Sequence, residues 1–594
     1  MPATDVNPSQ VQDAVKRGFE RLKKYRRARA LFIKAYCGQY YQQEFGLTGD
    51  EPLNLLYAAL RAIVPNIVNN NPACEVSTDY LQYRMYADLQ SMALTKVNKE
   101  INLKKLLRAA AVSAMFAMAI AKTSIAKSGV TLEIDGSEID PGQLYTELVD
   151  LDDFVFSSDC KSIDSSPFVG HRTSTPRQYL LDTDGYDHDL ILKLPAAGTK
   201  LGGNGRTVAE LTAGKDDCDI EDKVHVVELW VPQAKALITI PDPYECTFDK
   251  YLSVTDYYGP DSGPYSYLAF TPPVDGNPLP VSPASMIFDL HKSANSVFRK
   301  ILDQAERQKD VLLYDPAHSD TAQDIVNASD GDTIASSNPQ AVQALSIGGA
   351  NKENSPMLQQ IQLWFNYMAG NPDQMSGLRS NAKSATQASI LQGNASISVD
   401  DARGLLYDFT ADIADKQRWY LHYDPLLDQM LAKRKPGGEY VQLHLTPEQR
   451  QGDFADFVTK IVPKSMTLLE PAKRAELIMQ FCTNIMPQAA MALQTFMQIG
   501  QPFNIQAYLT RIAGEMGIQE WVSDLFDDPQ FQQRMQMMLA MGPQSQGKAG
   551  GGMNTMQNGG FPIQREAGNP SMMQQAQDGA NEGQSQMKSG MGAY

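Results

Sequence analysis

Three groups of residues in this chain are of the types that hold ions, phosphates or reacting groups, and each stops short of a catalytic pattern. The acidic run "LDTDGYDHDL", Leu181 to Leu190, opens like a calcium loop, with Asp182 and Asp184 ahead of Gly185. It lacks the third spaced carboxylate before the glycine and the glutamate that closes such a loop, so it reads as a solvated acidic turn. The glycine-rich run "LGGNGRT" has Gly202, Gly203 and Gly205 but no lysine at Walker spacing, so ATP hydrolysis by a P-loop is not expected. The third group is "AGNPDQMSGLRSNAKSATQASILQGN", Ala369 to Asn394, where Arg379 and Lys383 stand among Ser, Gly and Asn between two long helical patterns. Helix connections commonly take about 2–8 residues, and longer irregular ones inside ordered chain are functional or disordered, so this loop calls for a reason.

The remaining chemistry-bearing residues are dispersed. There is no HExxH for zinc and no GxSxG nucleophile elbow. The seven histidines are far apart in sequence, and one such as His225 in "KVHVVELW" reads as a packed or surface residue. Six cysteines, Cys37, Cys74, Cys160, Cys218, Cys246 and Cys482, form no CxxC and no paired spacing with histidine, which predicts reduced, mostly structural thiols. Catalytic residues, metal and cofactor are all expected to be absent, although residues converging from distant positions would escape a motif search.

The elements that position these residues have an ordinary globular composition, 43% hydrophobic and 20% charged, over a length that allows about four domains. The most apolar run, Leu106 to Ala121, is interrupted by Arg108 and is shorter than the ~20 residues of a bilayer span, so it reads as a buried helix and no membrane is expected. The N-terminus lacks a basic start followed by an apolar core, which places the chain in the cytoplasm where it is made. The net charge of -17 is uneven: 25 acidic against 10 basic residues from Val130 to Pro260, a balance of -15, and 18 basic against 10 acidic from Met1 to Gly129, a balance of +8. Such asymmetry suggests different partners for different regions.

Val11 to Tyr36 sets Val11, Val15, Phe19 and Leu22 at helical spacing, with Lys16, Arg17, Lys23, Lys24, Arg26, Arg27 and Arg29 on the rest. That basic face is either the solvated wall of a packed helix or a contact for nucleic acid or an acidic neighbouring subunit. Pro52 to Pro72 reads as a helix broken near Pro65, and Tyr83 to Lys122 as one or two more. Beyond Gly129, "VTLEID", "YTELVDLDDFVFS" and "KVHVVELWVPQAKALITI" predict a sheet-containing region. Ser282 and Pro283 are suited to cap and begin a helix over Pro283 to Lys309. Its apolar seam is Ile287, Leu290, Ala294, Val297 and Ile301, and its wet face carries Asp289, Lys292, Ser296, Arg299, Asp303 and Glu306. Val311 to Pro356 reads as a small α/β insertion before helix resumes at Met357. A second long helix spans Ser384 to Tyr420, striped by Val399, Ala402, Leu406, Phe409, Ile413 and Tyr420, with Gly393 and Gly404 as points of bending. "GEYVQLHL" is a short sheet signal, followed by Thr446, Pro447 and Gln449 in capping-box spacing. Helical patterns return from Pro471 to Leu539, and a Gly, Gln, Met and Ser-rich tail runs to Tyr594 with too little apolar surface to order itself.

This order of elements resembles the portal proteins of tailed bacteriophages, the head-to-tail connectors, over roughly Gln10 to Gly500. The resemblance lies in "NLLYAALRAIVPNIVNNNPACEV", in "LPVSPASMIFDLHKSANSVFRKILDQAERQK" and in "LRSNAKSATQASILQGNASISVDDARGLLYDF". It implies an α+β, predominantly helical fold of portal-like wing, stem, clip and crown, assembled as a homo-oligomeric ring usually of twelve subunits around double-stranded DNA. Residues 1–282 would form the N-terminal wing portion, 283–310 the first stem helix, 311–356 the clip, 357–370 the second stem helix and 371–384 the tunnel loop. Residues 385–470 would form the long helix and C-terminal wing portion, and 471–542 the crown, while the tail at 543–594 has no counterpart in the family.

The same resemblance makes Gln374, Ser376, Arg379, Asn381 and Lys383 channel-facing loop residues, and Lys292 and Arg299 lumen-facing stem residues. It makes Asp315, His318, Asp320, Asp330 and Asp332 the clip surface for a packaging motor, the terminase large subunit, and later a tail adaptor. Further implied partners are the major capsid and scaffolding proteins, and the implied location is the capsid vertex of a virion assembled in the host cytoplasm. Two other readings fit the composition. A nucleic-acid-binding enzyme or packaging accessory factor would use the basic N-terminal helix as its contact. A capsid or tail structural protein would have no channel.

Overall fold

The computed structural model describes residues 7–38, 53–129, 131–134, 137–196, 222–349, 351–370, 372, 385–434, 440–462, 465–466, 471–499, 505–516, 518 and 522. All of them lie in a unit spanning Met1–Asp528; a second unit, Pro529–Tyr594, lies outside them and includes the Gly, Gln and Met-rich tail. Among the described residues no helix is long and apolar enough to cross a membrane.

The basic amphipathic pattern becomes helix α1 (Pro8–Cys37), opened by Asn7, whose side-chain oxygen accepts the Ser9 N–H. Helix α2 (Leu55–Ile67) is capped the same way by Asn54 and Tyr57. Pro65 does not break it. The helix runs on past it to Ile67, and the Val68 N–H still donates to the Val64 carbonyl at 3.1 Å. Strand β1 (Cys74–Thr78), α3 (Arg84–Glu100) and α4 (Leu103–Phe116) follow. The apolar run Leu106 to Ala121 is therefore not one helix: α4 stops at Phe116, Ala117 turns the chain, and Ala119–Ala126 is strand β2. The run is buried throughout its second half, and a continuous apolar stretch carries no periodicity to separate buried helix from buried strand.

The acidic region is built of β3 (Leu132–Ile134), β4 (Ser137–Ile139), β5 (Gln143–Val149), β6 (Phe154–Phe156), β7 (Val169–Pro176), β8 (Lys223–Val231), β9 (Ala236–Pro241), β10 (Ser253–Asp256) and β11 (Tyr265–Leu268). They form a five-stranded antiparallel sheet in the order β10-β9-β8-β7-β6 and a three-stranded one in the order β11-β2-β5, beside the β3-β4 hairpin. β8 reads as a nearly continuous apolar run because both faces are covered. Val15 and Phe19 of α1 pack with Val227, Leu229, Ile238 and Ile240 on one side, and Leu180, Ile191 and Leu252 cover Val224 and Val226 on the other.

The second half opens with α5 (Pro283–Glu306), then β12 (Lys309–Tyr314), α6 (Ser319–Asn327), β13 (Val342–Ile347) and α7 (Asn354–Met368). The long helix α8 (Ala385–Tyr423) precedes the hairpin of β14 (Gln429–Arg434) and β15 (Tyr440–Leu445), and β16 (Phe457–Ile461) returns to pair antiparallel with β1. The α8 stripe of Val399, Leu406, Phe409 and Ile413 shares one core with Leu94, Leu107 and Phe457, so residues far apart in sequence close a single wall. Helices α9 (Pro471–Gln480), α10 (Met486–Ile499) and α11 (Ile505–Met516) follow, with a π-helical turn at Phe481–Ile485 between the first two.

Two capping expectations change. Ser282 occupies the N-cap of α5, yet its hydroxyl donates to the Met115 carbonyl at 3.0 Å instead of closing the helix end. Thr446 makes no side-chain cap, and the capping box falls on Asp453 and Asp456 instead.

Candidate functional site

The candidate site is the arm from Pro283 to Gly370, because α5 begins inside the core and ends outside it, and α7 returns from outside to the core at Ile361 and Phe365. The first half of α5 is anchored: Ala284, Ile287 and Phe288 pack with Phe32, Leu60 and Phe116. Asn295 clasps the chain before α2, donating from Nδ2 to the Leu53 carbonyl at 3.0 Å and accepting the Leu53 N–H at 2.9 Å. The apolar seam of α5 thus turns inward at Ile287 and Ala294, both buried in the chain's own core, while Leu290, Val297 and Ile301 are half-buried. The physical reason is that a helical stripe marks a face to be covered without saying by whom.

Past Ser296 the arm emerges. On α7 only Ile361 and Phe365 are buried, and Leu363, Trp364 and Tyr367 are exposed, Tyr367 at 75%. Beyond the helices, β12 and β13 pair in register from Lys309↔Ile347 to Tyr314↔Val342 with Val311, Leu312, Leu313, Tyr314, Leu345 and Ile347 all exposed. In α6 Ala322 alone is buried. A two-stranded hairpin with both faces in water is marginal at best, so this segment lacks a core of its own.

The charged residues singled out from sequence sit on this arm. Lys292 is exposed and holds its ammonium 4.4 Å from the Phe288 ring centroid. Arg299, two turns further along the same side of α5, is exposed. Asp315 accepts the Ala317 N–H and begins the short turn that carries His318, and Asp320 lies in the first turn of α6. Asp332 accepts the Ser329 N–H at 2.7 Å, and Asp330 is exposed beside it. The five therefore lie in the connection between β12 and β13. Gln374, Ser376, Arg379, Asn381 and Lys383 lie outside the described residues. Exposed Trp364 and Tyr367 were missed. The signal was available in "MLQQIQLWFNYM", where Ile361 and Phe365 supply the i, i+4 stripe and leave the larger aromatics off it.

The basic face of α1 is not a solvated wall at its centre. Arg26 donates to the carbonyls of Leu151 and Phe154 at 3.0 and 2.7 Å, Arg21 to the Cys160 carbonyl at 3.0 Å, and Arg29 pairs with Asp150 at 2.6 Å. These cations lock α1 onto the β5–β6 turn and the chain just after β6, and Arg17, Lys24, Arg27 and Lys34 remain exposed. A nucleic-acid contact through this helix loses three of its guanidiniums.

Among the described residues one cluster has ligand chemistry: His225, Asp242 and Glu245, all buried, with ligand atoms within 4.8 Å of one another. Arg172 lies in it, its Nε 2.9 Å from Asp242 Oδ2 and its guanidinium over the Phe19 and Tyr244 rings. His225 Nδ1 meets Glu245 Oε1 at 2.6 Å. Arg172 already supplies the positive charge these carboxylates need, and a divalent cation beside it would be repelled, so the cluster reads as a structural ion network.

At the middle of the long helix, Arg403 donates to the Asn66 carbonyl at 2.8 Å and pairs with Asp400, tying α8 to the end of α2.

Compared with known families, residues 87–398 match the family model described as Phage SU10 portal protein, just over half of the 594-residue chain. Among curated proteins, none matches the chain.

Proposed function

From the premise that this chain belongs to the Phage SU10 portal protein family, we propose that it assembles as a ring, of twelve copies in the family's usual arrangement, at one capsid vertex. The ring forms the channel through which double-stranded DNA is packaged and later ejected. Membership in this family makes it a structural phage protein. The observation that carries ring assembly is the uncovered apolar surface of the arm: Trp364 and Tyr367 on α7 with Leu313 and Tyr314 on β12. Large apolar side chains left uncovered along one arm mark an interaction site. Lateral packing of neighbouring copies covers it, and it also gives the β12–β13 hairpin the company it lacks alone.

In this reading α5 and α7 are the stem, with Lys292 and Arg299 toward the lumen. The β12–α6–β13 segment is the clip, where Asp315, His318, Asp320, Asp330 and Asp332 meet the terminase large subunit and then the tail adaptor. Residues 371–384 are the tunnel loop, 471–542 the crown, and the wing meets the major capsid and scaffolding proteins. The motor's ATP hydrolysis comes from the terminase, and the chain itself is not an enzyme.

Negative-stain electron microscopy of the full-length protein tests the ring. End-on averages should show a ring with an open centre, and the double substitution Trp364→Glu with Tyr367→Glu should leave folded monomers with an unchanged circular dichroism spectrum. Rings undiminished by both glutamates would sink the lateral role of α7. A proline at Ala294 would be a poor substitute, because Ala294 is buried in the subunit's own core.

A further inference from the structure

Helix α3 runs beside two strands and closes the edge of only one. Along β1 it supplies hydroxyls to the free backbone donors: Ser91 Oγ accepts the Val76 N–H at 2.8 Å and Thr95 Oγ1 the Cys74 N–H at 3.4 Å. Along β14 it supplies a single exposed lysine. Lys96 Nζ donates to the Met430 carbonyl at 3.1 Å. That contact places the Met430 carbonyl on the edge away from β15, the strand with which β14 pairs. Because antiparallel ladder bonds alternate residue by residue, Ala432 turns its N–H and C=O to the same open edge.

Between this edge and α3 lies a groove of about 480 Å³ lined by Met92, Thr95, Lys96, Lys99, Met430 and Ala432 among others. Met430 is exposed and Leu431 beneath it is buried. The rim is basic: Lys96 and Lys99 lie on α3, against Glu100, which already reaches Lys96 at 3.7 Å. A lysine over an edge strand is a common guard against pairing, and one that can swing into solvent leaves an edge open to an added strand.

We propose that β14 is a strand-addition site for an extended acidic segment of another protein. The segment would pair with the backbone of Met430 and Ala432, rest alternate apolar side chains on Met92 and Met430, and set carboxylates against Lys96 and Lys99. A second copy of this chain fits less well, since the described strands of its acidic half are already committed to their own sheets. The proposal does not rest on ring assembly.

The test is fluorescence anisotropy of full-length protein with a labelled peptide of alternating Val and Glu, beside the same peptide N-methylated at every second residue and a Val/Lys counterpart. The Val/Glu peptide should bind. N-methylation, Ala432→Pro and Lys96→Glu with Lys99→Glu should each weaken binding by at least ~tenfold, with the proline acting by removing one edge donor. Equal binding of the N-methylated peptide would show attraction by charge alone and overturn the proposal, without depending on how the proline variant folds. No binding of the Val/Glu peptide would overturn it as well. Self-association in sedimentation that Ala432→Pro abolishes, with the peptide inert, would assign the edge to a second copy and equally overturn it. Ring counts in electron micrographs should be unchanged by Ala432→Pro.

Discussion

A guanidinium at 1% exposure must have its donors met inside the protein, and Arg26 meets them with the carbonyls of Leu151 and Phe154 and with the face of Phe19 at 5.1 Å. Burial brings its pKa down to about 10, with Asp152 pulling the other way, so it stays charged at neutral pH. Arg26→Ala leaves two buried carbonyls short of a donor and should lower stability by about 2–4 kcal/mol, while Arg27→Ala one residue on, exposed, should change it by less than about 0.5. Denaturant titration of the two variants side by side checks this. A second prediction concerns pH. Burial first, then Lys122, brings His171 down to about 4, with Glu228 opposing. Its Nδ1 shares a 2.8 Å hydrogen bond with the Tyr265 hydroxyl. The unfolded chain takes up this proton first as pH falls, so the contribution is whole above about 6.5 and lost between there and about 4. His422 is lowered to about 4 too, by burial and then Arg450 and Arg418. The melting temperature should fall across that window, and His171→Gln should reduce the fall without removing it, because His422 remains. Helical spacing showed where Arg26 stands, but not that the carbonyls it meets come from residues more than a hundred positions away, since periodicity records residue type and not tertiary neighbours.

At the scale of elements, the docking of α1 depends on Gly18. A Cβ there would collide with the Phe156 carbonyl oxygen and with Val155 Cγ2 at 2.8 Å, so the helix can approach β6 only where it has no side chain. Gly18→Ala should push α1 off the sheet and cost about 1–3 kcal/mol even though alanine favours helix. Gly404 is the converse. It lies exposed in α8 with no heavy atom within 4 Å of a built Cβ, so Gly404→Ala should stabilise by up to about 1 kcal/mol, seen as a raised melting temperature. The opposite signs follow from one question, whether another backbone occupies the space. Sequence periodicity located α1, α5, the α8 stripe and the β8–β9 pair because each has one dry face or a strict period. It failed at Leu106 to Ala121, where every residue is apolar and helix gives way to strand without a polar mark, and at Ser282, whose hydroxyl is taken by Met115.

For the whole molecule, the question is how a chain carrying -17 could line a path for DNA. Each phosphate met by Lys or Arg releases counterions and adds affinity, so a continuously basic channel would grip a duplex and resist its movement. With Arg21, Arg26 and Arg29 spent inside the subunit, the basic groups left for DNA in the proposed channel are sparse: Lys292 and Arg299 on α5, and Arg379 and Lys383 in the loop. Sequence charge could not reveal this, because it counts a buried guanidinium and a free one alike, and the apolar seam of α5 likewise could not say that its first half belongs to the subunit's own core. Sparse contacts that hold without gripping lead to the last prediction. Arg379→Ala with Lys383→Ala should leave ring yield and diameter unchanged in electron micrographs, because neither residue belongs to the exposed arm proposed to join the copies. The same rings should package or retain less DNA, with the loss growing as salt is raised, since the few phosphate contacts that remain are the ones salt weakens. Packaging that matches the parent protein at every salt concentration would remove the loop from the DNA path and leave its length to be explained some other way.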